Sequence, residues 1–89
     1  MDNTKTIYLD VREKDEGDEG HVAGALHFPL IRLQLGDFPD IPKDSSIQVY
    51  CRSGGRAVMA KDLLDEAGFS NITNAGGLED LRAQGVTVE

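Results

Sequence analysis

Short apolar runs alternate with helix-like patterns along the chain. The apolar runs predict strands at residues 7–11, 26–29, 47–50 and 71–75, and the first of them is rich in β-branched and aromatic residues. Apolar positions at helical spacing predict helices at residues 30–35, 56–67 and 78–84, and residues 86–88 are again extended in pattern. Because strands that alternate with helices are joined by crossover connections, this order predicts an α/β fold with a mainly parallel sheet and helices on both faces.

The pattern between residues 56 and 67 is the clearest helix signal in the chain. Its apolar stripe consists of Ala57, Ala60, Leu64 and Ala67. Gly68 can adopt the left-handed conformation that closes a helix, which would let Phe69 pack back on Leu64. Further along, the adjacent glycines at 76 and 77 predict a turn before the last helix.

The only cysteine of the chain lies between the third strand and this helix, in the stretch Cys51-Arg52-Ser53-Gly54-Gly55-Arg56. Backbone N–H groups at a helix N-terminus have no intrahelical partner, and the helix dipole is positive there, so both favour a thiolate. The three small residues allow the loop to curl with its N–H groups inward, and the two arginines add forked donors for an oxyanion. We therefore predict a nucleophile at Cys51 in an anion cradle, open to solvent at the carboxyl edge of the sheet.

The length and charge of the chain limit the classes of function. With 89 residues, the chain predicts one domain, 1–89, with its core at about 7–88. Its composition, 39% hydrophobic and 28% charged, is ordinary for a soluble globular protein, and no apolar stretch approaches the ~18 residues of a membrane span. The net charge of −7, with acidic residues concentrated in a solvated run at 13–19, argues against nucleic acid or an anionic membrane as partner. We expect a monomer.

Few side chains suit a metal or redox centre. A single cysteine excludes an internal disulfide and a Cys-x-x-Cys pair. The two histidines, His21 and His27, are too few and too poorly accompanied to suggest a metal site. The N-terminal residues show no basic region followed by an apolar one, so the chain as it stands predicts a cytoplasmic protein. A periplasmic chain from which a signal peptide had been removed would look the same.

Four stretches together resemble a known family. They are Leu9-Asp10-Val11-Arg12, Gly20-His21-Val22-Ala23-Gly24-Ala25, Cys51-Arg52-Ser53-Gly54-Gly55-Arg56 and Asn74-Ala75-Gly76-Gly77-Leu78. In this order they resemble the single-domain rhodaneses, the thiosulfate sulfurtransferases, over about residues 7–88, and the last stretch looks like the small phage-shock-protein-E type. The chain departs from the family pattern at Gly17, where an aromatic residue is usual, and at Leu81, where many members have tryptophan, so we expect a smaller packing residue there.

The resemblance implies a five-stranded parallel sheet flanked by helices, and a loop in which Cys51 becomes a persulfide. It implies a small anionic sulfur donor such as thiosulfate, cyanide or a thiol as acceptor, and no metal or organic cofactor. The residues that would bind the substrate are Arg52, Ser53, Gly54, Gly55 and Arg56. The two arginines would hold the sulfonate end of the donor, while loop N–H groups stabilise the thiolate and then the persulfide.

Two other functions stay open at this point. A cysteine phosphatase or arsenate reductase uses a similar cradle, but those relatives have five residues between cysteine and arginine, whereas four separate Cys51 and Arg56. The shorter loop fits sulfur better than a tetrahedral phosphate. The other is a sulfur-relay or binding module that acts with a protein partner, since rhodanese-like domains often serve within larger assemblies. Asp10 and Arg12 are expected to have framework roles, paired with each other or with a loop arginine.

Overall fold

The apolar runs of the sequence form the strands of one sheet in the computed structural model, which describes residues 6–13, 20–52 and 54–89. The strands are β1 (Thr6–Asp10), β2 (Leu26–His27), β3 (Ser46–Cys51) and β4 (Ile72–Gly77), and the helices are α1 (Leu30–Gln34), α2 (Gly55–Glu66) and α3 (Leu78–Ala83). Ser53 and residues 14–19, which include Gly17 and most of the acidic run, lie outside the described residues.

All strand pairs in this sheet are parallel, in the order β2-β1-β3-β4. The two inner strands are therefore β1 and β3, and α2 forms the crossover from β3 to its neighbour β4. Parallel neighbours require such crossovers because a short turn cannot return the chain to the same end of the sheet. The predicted α/β class with a parallel sheet is confirmed.

The sheet has four strands within the described residues, whereas the resemblance implied five. The extended segment after α3 forms only an isolated antiparallel bridge, between Val22 and Val88. Next to this bridge, the Glu89 N–H donates to the His21 carbonyl at 2.8 Å. The segment therefore pairs with the chain before β2 instead of extending the parallel ladder.

A bulge lets β4 continue through the two glycines for which the sequence predicted a turn. Val49 pairs with Asn74 but Tyr50 pairs with Gly76, so Ala75 is an extra residue in β4. The Asn74 side-chain oxygen accepts the Gly76 N–H at 2.8 Å and thereby supports the bulge. The predicted turn was wrong because pairing with β3, which no local pattern shows, keeps this segment extended as far as Gly77.

Side chains alternate along the strands and divide the core into two clusters, one on each face of the sheet. The larger cluster, on the face covered by α1 and α2, contains Leu9, Val11, Phe28, Leu30, Leu33, Ile47, Val49, Cys51, Ala57, Ala60, Leu64 and Phe69. The smaller cluster, on the face covered by α3, contains Val22, Tyr50, Leu78 and Leu81. Helices thus cover both faces, and Leu81 is a buried packing residue, as expected.

The C-terminal end of α2 closes as its sequence predicts. Gly68 has a φ of +100°, and its N–H donates to the Asp65 carbonyl, while the Phe69 N–H donates to the Leu64 carbonyl, both at 3.1 Å. These two bonds define the Schellman motif, which satisfies carbonyls that a helix end leaves without partners. The Lys43 ammonium donates to the Ala67 carbonyl at 2.8 Å and caps the same end. No helix in the described ranges has the length and hydrophobicity to span a bilayer.

Candidate active site

Cys51 is the last residue of β3 and lies directly before the turn into α2. The alternation of β3 directs its side chain to the face covered by that helix, where it joins the larger apolar cluster. The Gly54 N–H donates to the Cys51 sulfur at 2.9 Å. A donor held this close to sulfur stabilises negative charge on it, which is the property that a cysteine nucleophile requires.

Gly54 shapes the turn that supplies this donor. It is the N-cap residue of α2, with a φ of +99° that side chains rarely allow. A Cβ atom at this position would lie 3.5 Å from the Gly76 Cα, so the turn also packs closely against the end of β4. Gly55, the first residue of α2, is exposed, and a Cβ atom there would contact nothing within 4 Å.

The two arginines of the loop differ in exposure. Arg52 follows Cys51 and is exposed, whereas Arg56 lies in the first turn of α2 and is half-buried. Ser53 lies outside the described residues. The geometry therefore brings Cys51 and Gly54 together by a hydrogen bond, and the binding roles of the other loop residues stay predictions.

The thiol is more enclosed than the sequence suggested. We expected a cradle open to solvent, but Cys51 is 0% exposed. The difference arises because β3 extends as far as Cys51 and α2 begins only four residues later, so strand and helix together cover the side chain. Full burial is also common for structural cysteines, so the nucleophilic assignment depends on the Gly54 donor and not on access.

A buried ion pair lies at the carboxyl end of β1. Asp10 and Arg12 are 2% and 4% exposed, and the Arg12 guanidinium donates to both carboxylate oxygens, from Nε at 2.9 Å and from Nη2 at 2.7 Å. Nη2 also donates to the Gly20 carbonyl at 2.6 Å. Burial opposes the charge of Asp10, but the hydrogen bonds and charge of Arg12 outweigh it, so the pKa of Asp10 lies below its usual range. The expected pairing of these two residues with each other is present.

Tyr50 adds a link that the sequence reading missed. Its hydroxyl donates to the Asp10 carboxylate at 3.0 Å and accepts the Val22 N–H at 3.1 Å, on the face of the sheet opposite Cys51. Burial, together with the neighbouring Asp10 charge, raises the pKa of Tyr50 to about 12. The available signal was a tyrosine inside an apolar strand, because a buried phenol usually has a hydrogen-bond partner.

Asp80, also missed, lies beside the same end of the sheet. Its carboxylate accepts the Gly77 N–H at 2.8 Å, and Gly77 pairs with Cys51 in the ladder. The signal in the sequence was an acidic residue three positions after a helix N-cap, where a side chain can reach back to the N-cap N–H. Among the described residues, no group of three or more His, Cys, Asp or Glu side chains could hold a metal ion.

Comparison with known proteins finds relatives that are similar in sequence. The chain is 35% identical over 75 residues to the thiosulfate sulfurtransferase PspE of Escherichia coli, covering 83% of this chain and 72% of that protein. It is 30% identical over 76 residues to a sulfurtransferase of Allochromatium vinosum, covering 85% and 70%.

Solved structures agree in fold. The Rhodanese_3-like domain of the Alr3790 protein from Anabaena superposes with a TM-score of 0.85 at 30% identity, covering 96% of this chain and 99% of that one. A rhodanese with anions from E. coli superposes with a TM-score of 0.80 at 29% identity, covering 96% and 98%. The family model for the rhodanese-like domain matches residues 1–84, and the chain therefore belongs to the rhodanese-like domain family.

Proposed function

We propose that this protein is a sulfurtransferase that moves a sulfane sulfur from thiosulfate, or another persulfide donor, through Cys51 to cyanide or a thiol. The observation that carries the proposal is the hydrogen bond from the Gly54 N–H to the Cys51 sulfur, at the start of a twelve-residue helix. This donor and the positive end of the helix both stabilise the negative charge that the sulfur carries during the transfer.

The reaction takes place in two displacements at sulfur. The Cys51 thiolate attacks the outer sulfur of thiosulfate, the sulfur–sulfur bond of the donor breaks, and sulfite leaves with the electron pair. Cyanide then attacks the outer sulfur of the Cys51 persulfide, and thiocyanate leaves as the thiolate is regenerated. No proton is transferred in either displacement, so the site needs no general base.

The loop supplies electrostatic stabilisation for these steps. The Gly54 N–H, already 2.9 Å from the sulfur, stabilises the thiolate before attack and the persulfide after it. In this proposal Arg52 and Arg56 hold the sulfonate end of the donor, and Ser53, Gly54 and Gly55 are the other substrate-binding residues. Two similar proteins support an anionic donor. One is the solved rhodanese with anions from E. coli, and the other is PspE of E. coli, which is named a thiosulfate sulfurtransferase.

The proposal is tested by intact-mass analysis after exposure of the protein to thiosulfate. Because the chain has one cysteine, an added sulfur that is removed by cyanide reports on Cys51 alone. We expect the wild-type chain to gain the mass of one sulfur atom and to form thiocyanate, and Cys51→Ser to do neither. Thiocyanate formation at an unchanged rate in Cys51→Ser would overturn the assignment.

A further inference from the structure

Exposed apolar side chains are concentrated on the two helices that follow the reactive end of the sheet. Among the described residues, five large apolar side chains are exposed, and four of them lie on α1, on its C-cap or on α2. Ile31 and Leu35 are 50% and 78% exposed, and Val58 and Met59 are 50% and 47% exposed. We call these four residues the rim surface. Single exposed apolar residues are common, whereas a cluster of them indicates contact with another molecule.

Hydrogen bonds connect both parts of the rim surface to the loop. The Val58 N–H donates to the Gly54 carbonyl at 3.1 Å, and the Gly54 N–H donates to the Cys51 sulfur. The first N–H of α1 donates to the Val11 carbonyl at 3.1 Å, and the Val11 N–H donates to the Tyr50 carbonyl at 3.2 Å. Both helices therefore begin at the end of the sheet where β3 reaches Cys51, and α1 packs against α2.

The spread of the rim surface suits a protein better than a small molecule. Its side chains belong to two helices, and Leu35 lies four residues, about 6 Å, beyond Ile31. A small ligand is held in a concave site that covers most of it, whereas a protein can cover a broad exposed surface. A sulfur acceptor must come to the Cys51 loop, so it is the molecule that would cover these side chains.

Charge restricts the partner further. The chain has a net charge of −7, and α2 carries the exposed Asp62 four residues after Val58, on the same side of the helix. A field of this sign attracts a positively charged partner and slows the approach of an acidic one.

We propose that the rim surface docks a basic protein that carries the acceptor thiol for the sulfur on Cys51. The inference rests on the proposed sulfur transfer and names the class of its acceptor. The partner thiolate attacks the outer sulfur of the Cys51 persulfide, the sulfur–sulfur bond breaks, and Cys51 leaves as a thiolate with the electron pair. The partner then carries the persulfide, and no oxidant or reductant is consumed.

Discharge of the Cys51 persulfide by synthetic peptides tests the docking. The probes are acetylated peptide amides with the sequences Lys-Leu-Cys-Leu-Lys, Glu-Leu-Cys-Leu-Glu and Lys-Ser-Cys-Ser-Lys. Protein loaded with thiosulfate and freed of excess donor reacts with each peptide, and mass spectrometry follows the loss of the added sulfur. Each rate is divided by the rate with cyanide for the same variant, so that effects on the persulfide itself cancel.

Ile31→Thr and Met59→Gln replace one apolar side chain on each helix by a polar side chain of similar shape. We expect each change to lower the relative rate with the basic leucine peptide about 3- to 10-fold, because the exposed half of one side chain is no longer buried as apolar surface. The relative rate with the serine peptide should change less. Leu26→Thr is the matched control, because Leu26 is the fifth exposed apolar residue and lies on β2.

Asp62→Asn tests the charge of the partner. We expect it to lower the ratio of the rates with the basic and acidic leucine peptides about twofold at low ionic strength. Asp44→Asn removes an exposed charge just before the start of β3, at the opposite end of the sheet, and should have a smaller effect. An unchanged ratio in Asp62→Asn would overturn the basic character of the partner.

The other outcomes separate the docking from the chemistry. A wild-type relative rate in Ile31→Thr or Met59→Gln, or an equal loss in Leu26→Thr, would overturn the docking surface while sulfur transfer stands. An equal loss with 1-butanethiol would identify a small apolar thiol as the acceptor, and a wild-type dimer that these variants abolish in sedimentation would identify a second copy of the chain; either overturns the protein partner. Failure of the wild-type chain to take sulfur from thiosulfate would instead remove the proposed function.

Discussion

Tyr50 is the residue that connects the buried polar groups of this protein. Its hydroxyl joins Asp10 at the end of β1 to the Val22 backbone in the segment before β2. The Asp10 side chain is in turn bonded to Arg12, which reaches the Gly20 carbonyl. No buried side-chain nitrogen or oxygen atom in the described ranges is without a partner, so the loss of one member leaves its neighbours unsatisfied.

The titration of Tyr50 should be visible in the stability of the protein at high pH. The pKa of this phenol rises from 10.0 to about 12 in the folded state, so its contribution is complete below pH 10 and is lost as the pH increases towards 12. We expect the free energy of unfolding to fall across this window, by up to about 1.4 kcal/mol per pH unit from this group.

Chemical denaturation at several pH values from about 9 to about 12 measures the slope. Tyr50→Phe should be less stable at neutral pH by about 1–3 kcal/mol, because the Val22 N–H and Asp10 lose a partner, but it should lack this part of the slope. The same slope in the variant and the wild-type chain would show that another group causes it.

The turn between β3 and α2 depends on one of its two adjacent glycines. Gly54 has a φ of +99° and donates to the Cys51 sulfur, whereas a Cβ atom on Gly55 would point into open space. An L-residue in the left-handed region costs about 1–2 kcal/mol. Alanine should therefore be tolerated at Gly55 and should strain the turn at Gly54.

Gly54→Ala should shift the turn and weaken the N–H donor to sulfur, with a decrease in the rate of sulfur loading of about tenfold or more. Gly55→Ala should keep the loading rate and stabilise α2 by about 0.5–1 kcal/mol, because glycine is a poor helix residue. Single-turnover loading followed by mass spectrometry compares the two variants. Equal losses of rate would contradict the special role of Gly54.

The sequence predicted elements whose signals are local and missed those that depend on neighbouring strands. The α2 helix and its closure at Gly68 follow from helical spacing and one glycine, and both are present. The continuation of β4 through Gly76 could not be predicted because β3 and the Asn74 side chain create it. The enclosure of Cys51 is likewise a product of packing, because β3 and α2 together cover the side chain.

At the scale of the whole molecule, the sheet has two inner strands with a partner on each side and one very short edge strand. The inner strands β1 and β3 lie between partners, whereas β2 is an edge strand of two residues. The buried apolar residues extend from Leu9 to Leu81, and this supports our proposal of one domain over residues 1–89 with its core at about 7–88. The monomer expected from the sequence stays a prediction.

Amide hydrogen exchange should be slowest in the inner strands β1 and β3 and faster in the edge strand β2. We expect the amides of β1 and β3 that are bonded within the sheet to exchange only on global unfolding. Those of β2 and of the bridge at Val88 should exchange through local opening at least about tenfold faster. Exchange measured residue by residue by NMR at neutral pH makes the comparison, and equally slow exchange in β2 and β3 would be inconsistent with the strand order.

The side chains of Tyr50 and Cys51 point to opposite faces of the sheet, so a shift in strand register during folding would exchange their surroundings. If β3 joined β1 one residue out of step, the Tyr50 phenol would face the apolar space under α2 and the Cys51 side chain would face α3. A shift of one residue would therefore break the hydrogen bonds of the Tyr50 hydroxyl and also move the Cys51 sulfur to the other face of the sheet. The polar contacts of Tyr50 thus favour the correct strand register, and that register places the Cys51 side chain on the face covered by α2.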